Sequence, residues 1–476
     1  MDKDFDKNLN QDFIRKPRRH QVQPTTIEIV EKKITQRTFS PPLILISVFI
    51  ALVALGTILL MLPYAHHGDS YEGVLVGFFT ATSAVTVTGL TVVDSATHWT
   101  LFGKIVIMIL MFIGGLGFMS LAVFLLVILG QRVSIRQKLL IRETLNRGQM
   151  GGLQRLSIAI VGTAVLIQFI GFLALLGRFI TLYDLPTALW HAAFHSVSGF
   201  NNAGFIVFNE AGGLRAFQND YFVLGIIAVL IVLGSLSFWV VSDILTIRKF
   251  RRFSLVTKIT VFMTLVLIVA ASVAFYAFES NNGATIGDLG VRNQIAVAVF
   301  EGISGRTAGF STIDYSAAKQ ATNLFMSLMM FIGGATGSVA GGIKLTTCLI
   351  IVLSIVAIIR ERPHVTVFDK EVDQGTVRRA YAIFVISLAF VFICSIALSA
   401  TNPELPIKDL LFESFSAYGT VGLSTGITNS LNPIGTILVA LTMLVGRVGP
   451  LIIGLKAVPN PDIYSYRKAT ETVTIG

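Results

Sequence analysis

The stretch TSAVTVTGLTVVD, Thr82 to Asp94, is free of charge before its last residue and as apolar as a spanning helix. Yet it places four threonines, a serine and a glycine where such a helix normally carries leucine. Either it crosses a membrane or it lines something polar inside one, and the rest of the chain decides between the two.

Composition puts the chain in a bilayer. Of 476 residues, 53% are hydrophobic and 13% charged, with a mean hydropathy of +0.75. A soluble domain carries about a quarter of its residues as Asp, Glu, Lys and Arg. The first 38 residues are polar and basic, which argues against a cleavable signal peptide. Cys348 and Cys394 lie in apolar runs, where a free cysteine acts as a small hydrophobe, so no disulfide framework is expected. A formal charge of +10 in a membrane chain marks cytoplasmic loops rather than nucleic-acid binding.

A helix needs about 20 apolar residues to cross about 30 Å of hydrocarbon. Eight stretches qualify: Pro41–Leu62, Val106–Leu129, Leu156–Leu176, Tyr221–Val241, Ile259–Phe278, Leu324–Val352, Tyr381–Ala400 and Ile434–Leu455. Lys and Arg collect in the N-terminus and in the connections 131–155, 248–258 and 360–379, whereas Met61 to Thr100 has neither. The positive-inside bias predicts a multi-pass cell-membrane protein with both termini in the cytoplasm.

Each poorly charged connection also holds a shorter apolar piece: Tyr71–Thr86, Thr187–Ser198, Asn293–Ser304 and Ile407–Ala417. Counting these as crossings gives twelve spans with the same parity. Their length, and the polar glycine-bearing segment that follows each, favour re-entrant helices that enter from outside and return.

Those segments read TVTGLTVVD from Thr86, NNAGFIVFN from Asn201, RTAGFSTID from Arg306 and GTVGLSTGI from Gly419. Each has Gly followed by Leu or Phe at its fourth position, and the glycines, Gly89, Gly204, Gly309 and Gly422, are 115, 105 and 113 residues apart. The expected fold is an all-α polytopic membrane protein of four fused units, each a span, a short helix, a glycine loop and a span. The boundaries are 41–130, 155–243, 258–359 and 380–455, between a basic N-terminus (1–40) and a C-terminus (456–476). Non-helical backbone at membrane depth must be enclosed by protein or line a polar cavity. Four such loops on one axis would offer their carbonyls to a desolvated cation. The competing reading is that the glycines only allow close helix packing.

The motifs TVTGL, NNAGF, GRTAGF and YGTVGLSTG, with GGATGSVAGGIK from Gly333 and GRVGP from Gly446, resemble the Trk/Ktr/HKT superfamily of potassium transporters, most closely the membrane subunit of bacterial Ktr systems. The resemblance runs from about Pro41 to Gly454. It implies eight transmembrane helices and four pore helices in M1-P-M2 repeats around one pseudo-four-fold pore. It also implies K+ held by the backbone carbonyls of Thr88, Gly89, Ala203, Gly204, Ala308, Gly309, Val421 and Gly422. Glycine in all four loops resembles the potassium-selective members. Sodium, as a coupled or regulatory ion, stays open, and no other cofactor is implied.

Gly333 to Gly342 interrupts the second span of the third unit with five glycines in ten residues. This composition reads either as a close-packed static crossing or as a flexible segment that obstructs the pore. The resemblance implies the second, a gate formed by Gly333, Gly334, Gly337, Gly341, Gly342, Lys344 and Arg447. Lys344 either acts on the cation path or snorkels to the cytoplasm. Arg447 interrupts an apolar run and should find a carboxylate, backbone carbonyls or the gate segment. The alternative is a position near the cytoplasmic end. Glu301 and Glu413 are expected to brace the glycine loops through backbone donors. Asp94 and Asp314, five residues after Gly89 and Gly309, are either a cation-attracting mouth or solvated loop residues.

No GxxxxGK[ST] pattern and no catalytic constellation is present, so a pump and an enzyme are both disfavoured. His191 and His195, four residues apart, lack a third partner for a metal. The readings left are a potassium-conducting subunit, a sodium-coupled alternating-access transporter, for which two-fold or inverted repeats would be expected, and a scaffold. Convergence of the four glycine loops on one axis discriminates among them. The resemblance further implies a homodimer, docked on a separate cytoplasmic ring of nucleotide-binding subunits that responds to ATP or ADP. Membrane lipid accounts for part of the basic face.

Overall fold

The computed structural model describes residues 41–67, 73–116, 153–208, 212–247 and 249–456. The basic N-terminus, the second half of the expected span Val106–Leu129 and the C-terminus from 457 onward lie outside the described residues. The helices, in order, are α1 (Pro41–Leu60), α2 (Val74–Thr86), α3 (Leu101–Gly115), α4 (Leu153–Phe179), α5 (Leu185–Phe200), α6 (Tyr221–Ser235) and α7 (Phe238–Ile247). They continue as α8 (Leu255–Glu279), α9 (Val291–Thr307), α10 (Gln320–Phe331), α11 (Leu345–Ile359), α12 (Gln374–Thr401), α13 (Ile407–Gly419) and α14 (Pro433–Lys456).

Among the described residues, four helices are long and apolar enough to cross a membrane: Ile158–Phe179, Leu255–Glu279, Gln374–Thr401 and Pro433–Pro450. The chain is a polytopic helical membrane protein. One departure from an all-helical fold is a two-residue-per-strand hairpin, β1 (Thr366–Val367) with β2 (Lys370–Glu371), in the connection before α12.

The expected continuous span Tyr221–Val241 is instead two helices, α6 and α7, bent by 100°. Ser235 Oγ donates back to the Val232 carbonyl at 2.9 Å, and Leu236 leaves the helix with extended backbone at φ −82° and ψ 142°. Such back-bonding competes with the helical ladder. The freed carbonyls of Gly234 and Ser235 accept the Val339 and Ala335 amides at 3.3 and 3.1 Å, which replaces the lost ladder bonds.

The helices α2, α5, α9 and α13 have 13, 16, 17 and 13 residues. At 1.5 Å per residue this is roughly 20–26 Å, short of the hydrocarbon thickness. Their packing is cyclic. Each lies between the helix before it and the helix after it, as α2 does between α1 and α3. In addition α3 packs on α5, α6 on α9, α10 on α13 and α14 on α2, so the last contact closes the circuit. Gly114, Gly234 and Gly446 permit close approach within a unit, because a side chain there would collide with the carbonyls of Val85, Phe200 and Tyr418 at the ends of α2, α5 and α13.

Candidate functional site

The four glycine loops meet in a closed ring. A methyl group on Gly89 would collide with the Ala203 carbonyl oxygen, one on Gly204 with that of Ala308, one on Gly309 with that of Val421, and one on Gly422 with that of Thr88. Four steps return to the start. Each glycine adopts positive φ, at 88°, 68°, 70° and 105°, the region that glycine enters without steric cost. The residue before each glycine therefore turns its carbonyl toward the neighbouring loop.

Approach to the glycine differs in one loop. Val87, Asn202 and Thr420 are left-handed, at φ 58°, 53° and 49°, two residues before Gly89, Gly204 and Gly422. For β-branched Val87 and Thr420 this conformation is costly and persists only when its surroundings fix it. In the third loop α9 continues through Thr307, and Ala308 takes φ −130°. The extra helical residue replaces the left-handed turn.

A serine at the end of each short helix holds the loop that follows. Ser83 Oγ accepts the Gly89 amide at 3.0 Å and Ser416 Oγ the Gly422 amide at 3.1 Å. Ser198 Oγ donates to the Phe205 carbonyl at 2.9 Å and Ser304 Oγ to that of Phe310 at 2.6 Å. One helical turn earlier, at Thr80, His195, Glu301 and Glu413, three of the four side chains hold the outgoing limb. Glu301 accepts the Thr312 amide at 2.6 Å, the Thr312 hydroxyl at 2.8 Å and the Tyr315 hydroxyl at 2.8 Å. Glu413 accepts the hydroxyls of Ser424 and Thr428, not the backbone donors expected of it. His195 Nε2 accepts the Val207 amide at 3.4 Å while its Nδ1 faces the His191 carbonyl at 2.8 Å. The sequence reading missed Ser83, Ser304 and Ser416. Their signal was a serine three residues after Thr80, His195, Glu301 and Glu413 in all four short helices.

Residues 332–344 lie beside the fourth loop at Thr420 and contact the second and fourth units as well as their own. The segment is closed by a bridge between Ile332 and Ile343, with the Gly333 amide donating to the Ile343 carbonyl at 2.8 Å. Gly341 leaves no room for a side chain beside Thr420, and the broken end of α6 holds Ala335 and Val339. Arg447 donates Nη1 to the Val339 carbonyl and Nη2 to the Gly114 carbonyl at 2.7 Å. Of its expected partners it takes backbone carbonyls, one of them in the segment. Lys344 Nζ donates to the Ala340 carbonyl at 2.6 Å and closes the segment on itself. Arg306, quoted above only as part of a motif, is 1% exposed and donates to the Gly333 carbonyl at 3.3 Å. Among these residues Gly337 is exposed at the turn of the segment, at φ 79°.

The outer aspartates are engaged locally. Asp94 accepts the Ala96 amide at 2.9 Å and the Thr97 hydroxyl at 3.1 Å. Asp314 pairs with Arg215 at 3.1 Å. His191 and His195 pack among aromatic rings, His195 stacking on Phe208 at 3.8 Å between centroids. Among the described residues no group of His, Cys, Asp and Glu is arranged to hold a metal ion.

A closed ring of non-helical loops, each glycine facing the next loop's carbonyl, inside a bundle of apolar helices defines a polytopic membrane protein with enclosed polar backbone at its centre. The comparisons narrow the class. Residues 25–466 match the TrkH family model, described as cation transport protein. The chain is 36% identical over 421 residues to the Ktr system potassium uptake protein B of Bacillus subtilis, covering 88% of this chain and 94% of that one. It is also 36% identical over 434 residues to the protein of the same name from Vibrio alginolyticus, with 90% and 94% covered. It is 33% identical over 452 residues to the potassium/sodium uptake protein NtpJ of Enterococcus hirae, with 94% and 100% covered. The crystal structure of the potassium transporter TrkH from Vibrio parahaemolyticus shares the fold, with a TM-score of 0.67 at 19% identity over 90% of this chain and 86% of that one. The chain belongs to the Trk/Ktr cation-transporter family, as the TrkH-like membrane subunit of a bacterial Ktr potassium uptake system.

Proposed function

We propose that the chain conducts K+ inward through a single channel-like path on the axis of the glycine ring. The closed cycle, in which each glycine faces the carbonyl of the next loop, carries the reading. K+ exchanges its water for the carbonyls of Thr88, Gly89, Ala203, Gly204, Ala308, Gly309, Val421 and Gly422. Cyclic packing of the short helices supports four M1-P-M2 units, with eight crossings and four re-entrant helices. Basic residues in alternate connections support cytoplasmic termini.

Segment 333–342, with Lys344 and Arg447, is the gate. Its hydrogen bonds reach the second unit through Gly234 and Ser235 and the fourth through Arg447, so its release is felt across the bundle. The relatives' names as parts of a Ktr system support further components; that these are a cytoplasmic nucleotide-binding ring on a homodimer rests on the motif resemblance alone. Sodium as a second ion is supported by the relative named a potassium/sodium uptake protein.

Rubidium uptake into proteoliposomes holding the purified chain tests the reading. Uptake competed by K+ far better than by Na+, and raised by an added nucleotide-binding ring, is the expected result. Equal competition by the two ions would overturn potassium selectivity. Nucleotide dependence of the chain alone would overturn the division of labour.

A further inference from the structure

This inference rests on reading the ring as an ion-coordinating filter. One residue past the glycine, the four loops fall into two kinds. Where that residue is Phe205 or Phe310, its carbonyl is tied back to its own short helix by the hydroxyl of Ser198 or Ser304, at 2.9 and 2.6 Å. Where it is Leu90 or Leu423, the corresponding serine instead accepts the glycine amide. Among the described residues, no hydrogen bond engages the carbonyl of Leu90 or Leu423.

A hydroxyl proton aimed at a carbonyl oxygen occupies one lone pair and sets positive charge where a cation would need to approach. We infer that Ser198 and Ser304 are positioning residues that withdraw the Phe205 and Phe310 carbonyls from the ion path. This level then holds a one-sided cation site built from the carbonyls of Leu90 and Leu423. Their loops adjoin where Gly422 meets Thr88. Two carbonyls cannot replace a whole hydration shell, so the site takes a monovalent cation that keeps part of its water. Full dehydration is confined to the level of the glycines, and the ion leaves the outer level readily because it is held weakly there.

The sign of an affinity change tests this. In the double variant Ser198→Ala with Ser304→Ala, two more carbonyls become available to the ion. The half-saturating K+ concentration for rubidium-competed uptake should fall by about three- to tenfold, the range one net hydrogen bond represents, and maximal flux should fall with it. Threonine at both positions keeps the hydroxyl and should restore the original values. Ser83→Ala with Ser416→Ala, which strips an acceptor from the glycine amides, should weaken K+ binding. If the serines only hold the loops together, the first double variant weakens K+ binding too, and that result or an unchanged affinity overturns the inference. Should that variant elute misfolded, the corresponding cysteine pair, a poorer donor, is judged by the same sign. Gly309→Ser serves as the control. If it leaves ion discrimination intact, the filter reading itself fails. If it abolishes discrimination while the serine pair leaves affinity unchanged, only the inference fails.

Discussion

The glycine ring and segment 333–342 are both rich in glycine and both lie in the middle of the bundle, yet they are held in opposite ways. Each ring loop is secured by its own short helix, as Ser83 and Ser416 secure Gly89 and Gly422 and as Glu301 secures Thr312. The segment is closed on itself by the Ile332–Ile343 bridge and Lys344, and is also tied to the end of α6 in the second unit, to Arg306 of α9 in its own unit and to Arg447 of α14 in the fourth. A loop anchored within its own unit keeps its shape when its neighbours shift. A segment anchored on several units moves with their arrangement, as a two-state coupling element must. Glycine supplies close approach in both, and the source of the anchors is what supports the proposed reading of one as a filter and the other as a gate.

The largest expected effect breaks the ring. In Gly309→Ser the side chain would collide with the Val421 carbonyl, and the residue would have to hold φ 70° without glycine's freedom. The conformational cost alone amounts to about tenfold, so K+ over Na+ discrimination should fall by at least about that factor. Competition of rubidium uptake by the two ions reads it. Unaltered discrimination in a folded variant would remove the ring from the ion path.

Deleting 335–340 attacks the other region. The ring keeps its own anchors, so selectivity should survive while flux rises on the order of fivefold, the low end of a typical coupling free energy. Flux that stays equal or falls, in protein that still elutes as folded, would make the segment a static packing element.

Arg447→Gln is a smaller perturbation of the same kind. It loosens one anchor, on Val339, while the α6 contacts remain. Flux should rise about two- to threefold, as expected of one residue in a coupled network. Stability should fall by about 1.5–3 kcal/mol for the lost charged hydrogen bonds. Lysine should not substitute, because it lacks the fork that reaches the Val339 and Gly114 carbonyls together. Thermal melts and flux measured on the same preparation decide it, since a fall in stability without a rise in flux would leave Arg447 as mere packing.

Much of the ring was legible because its signals are local. Gly89, Gly204, Gly309 and Gly422 stand at near-constant spacing behind short charge-free runs, and five glycines between 333 and 342 mark the interruption. The anchors were legible only in part. Ser83 and Ser198 sit at the same place in their helices, but one accepts and the other donates, and the choice depends on loop geometry that spacing does not encode. The bend after Ser235 was hidden inside an apolar run because its compensation, the Ala335 and Val339 amides, lies about a hundred residues away in sequence. Arg306 was passed over for a similar reason: its Gly333 partner lies outside its own helix, in the non-helical segment that follows α10.

The smallest expected effect locates the rigidity of the ring. Asp314, on the outgoing limb of the third loop, pairs with Arg215 beyond the second loop, so this contact ties two loops at their outer edge. Burial pushes the Asp314 carboxyl up, but the Ser316 hydroxyl and amide, together with Arg215, outweigh it and hold the group below its ordinary value. A carboxylate depressed on folding contributes stability above its unfolded pKa and loses it as pH falls through the folded one, so the tie should weaken only below about pH 4. Both side chains are about two-fifths exposed, at 43% and 41%, and water screens the pair. Asp314→Asn should therefore cost less than about 1 kcal/mol at neutral pH, and the difference from the unmodified protein should shrink as melts are run at successively lower pH below about 4. Discrimination between K+ and Na+ should not change. If it does, the outer ties and not the inner serine and glutamate anchors set the geometry of the ring, and the contrast between a self-anchored filter and a neighbour-anchored gate no longer holds.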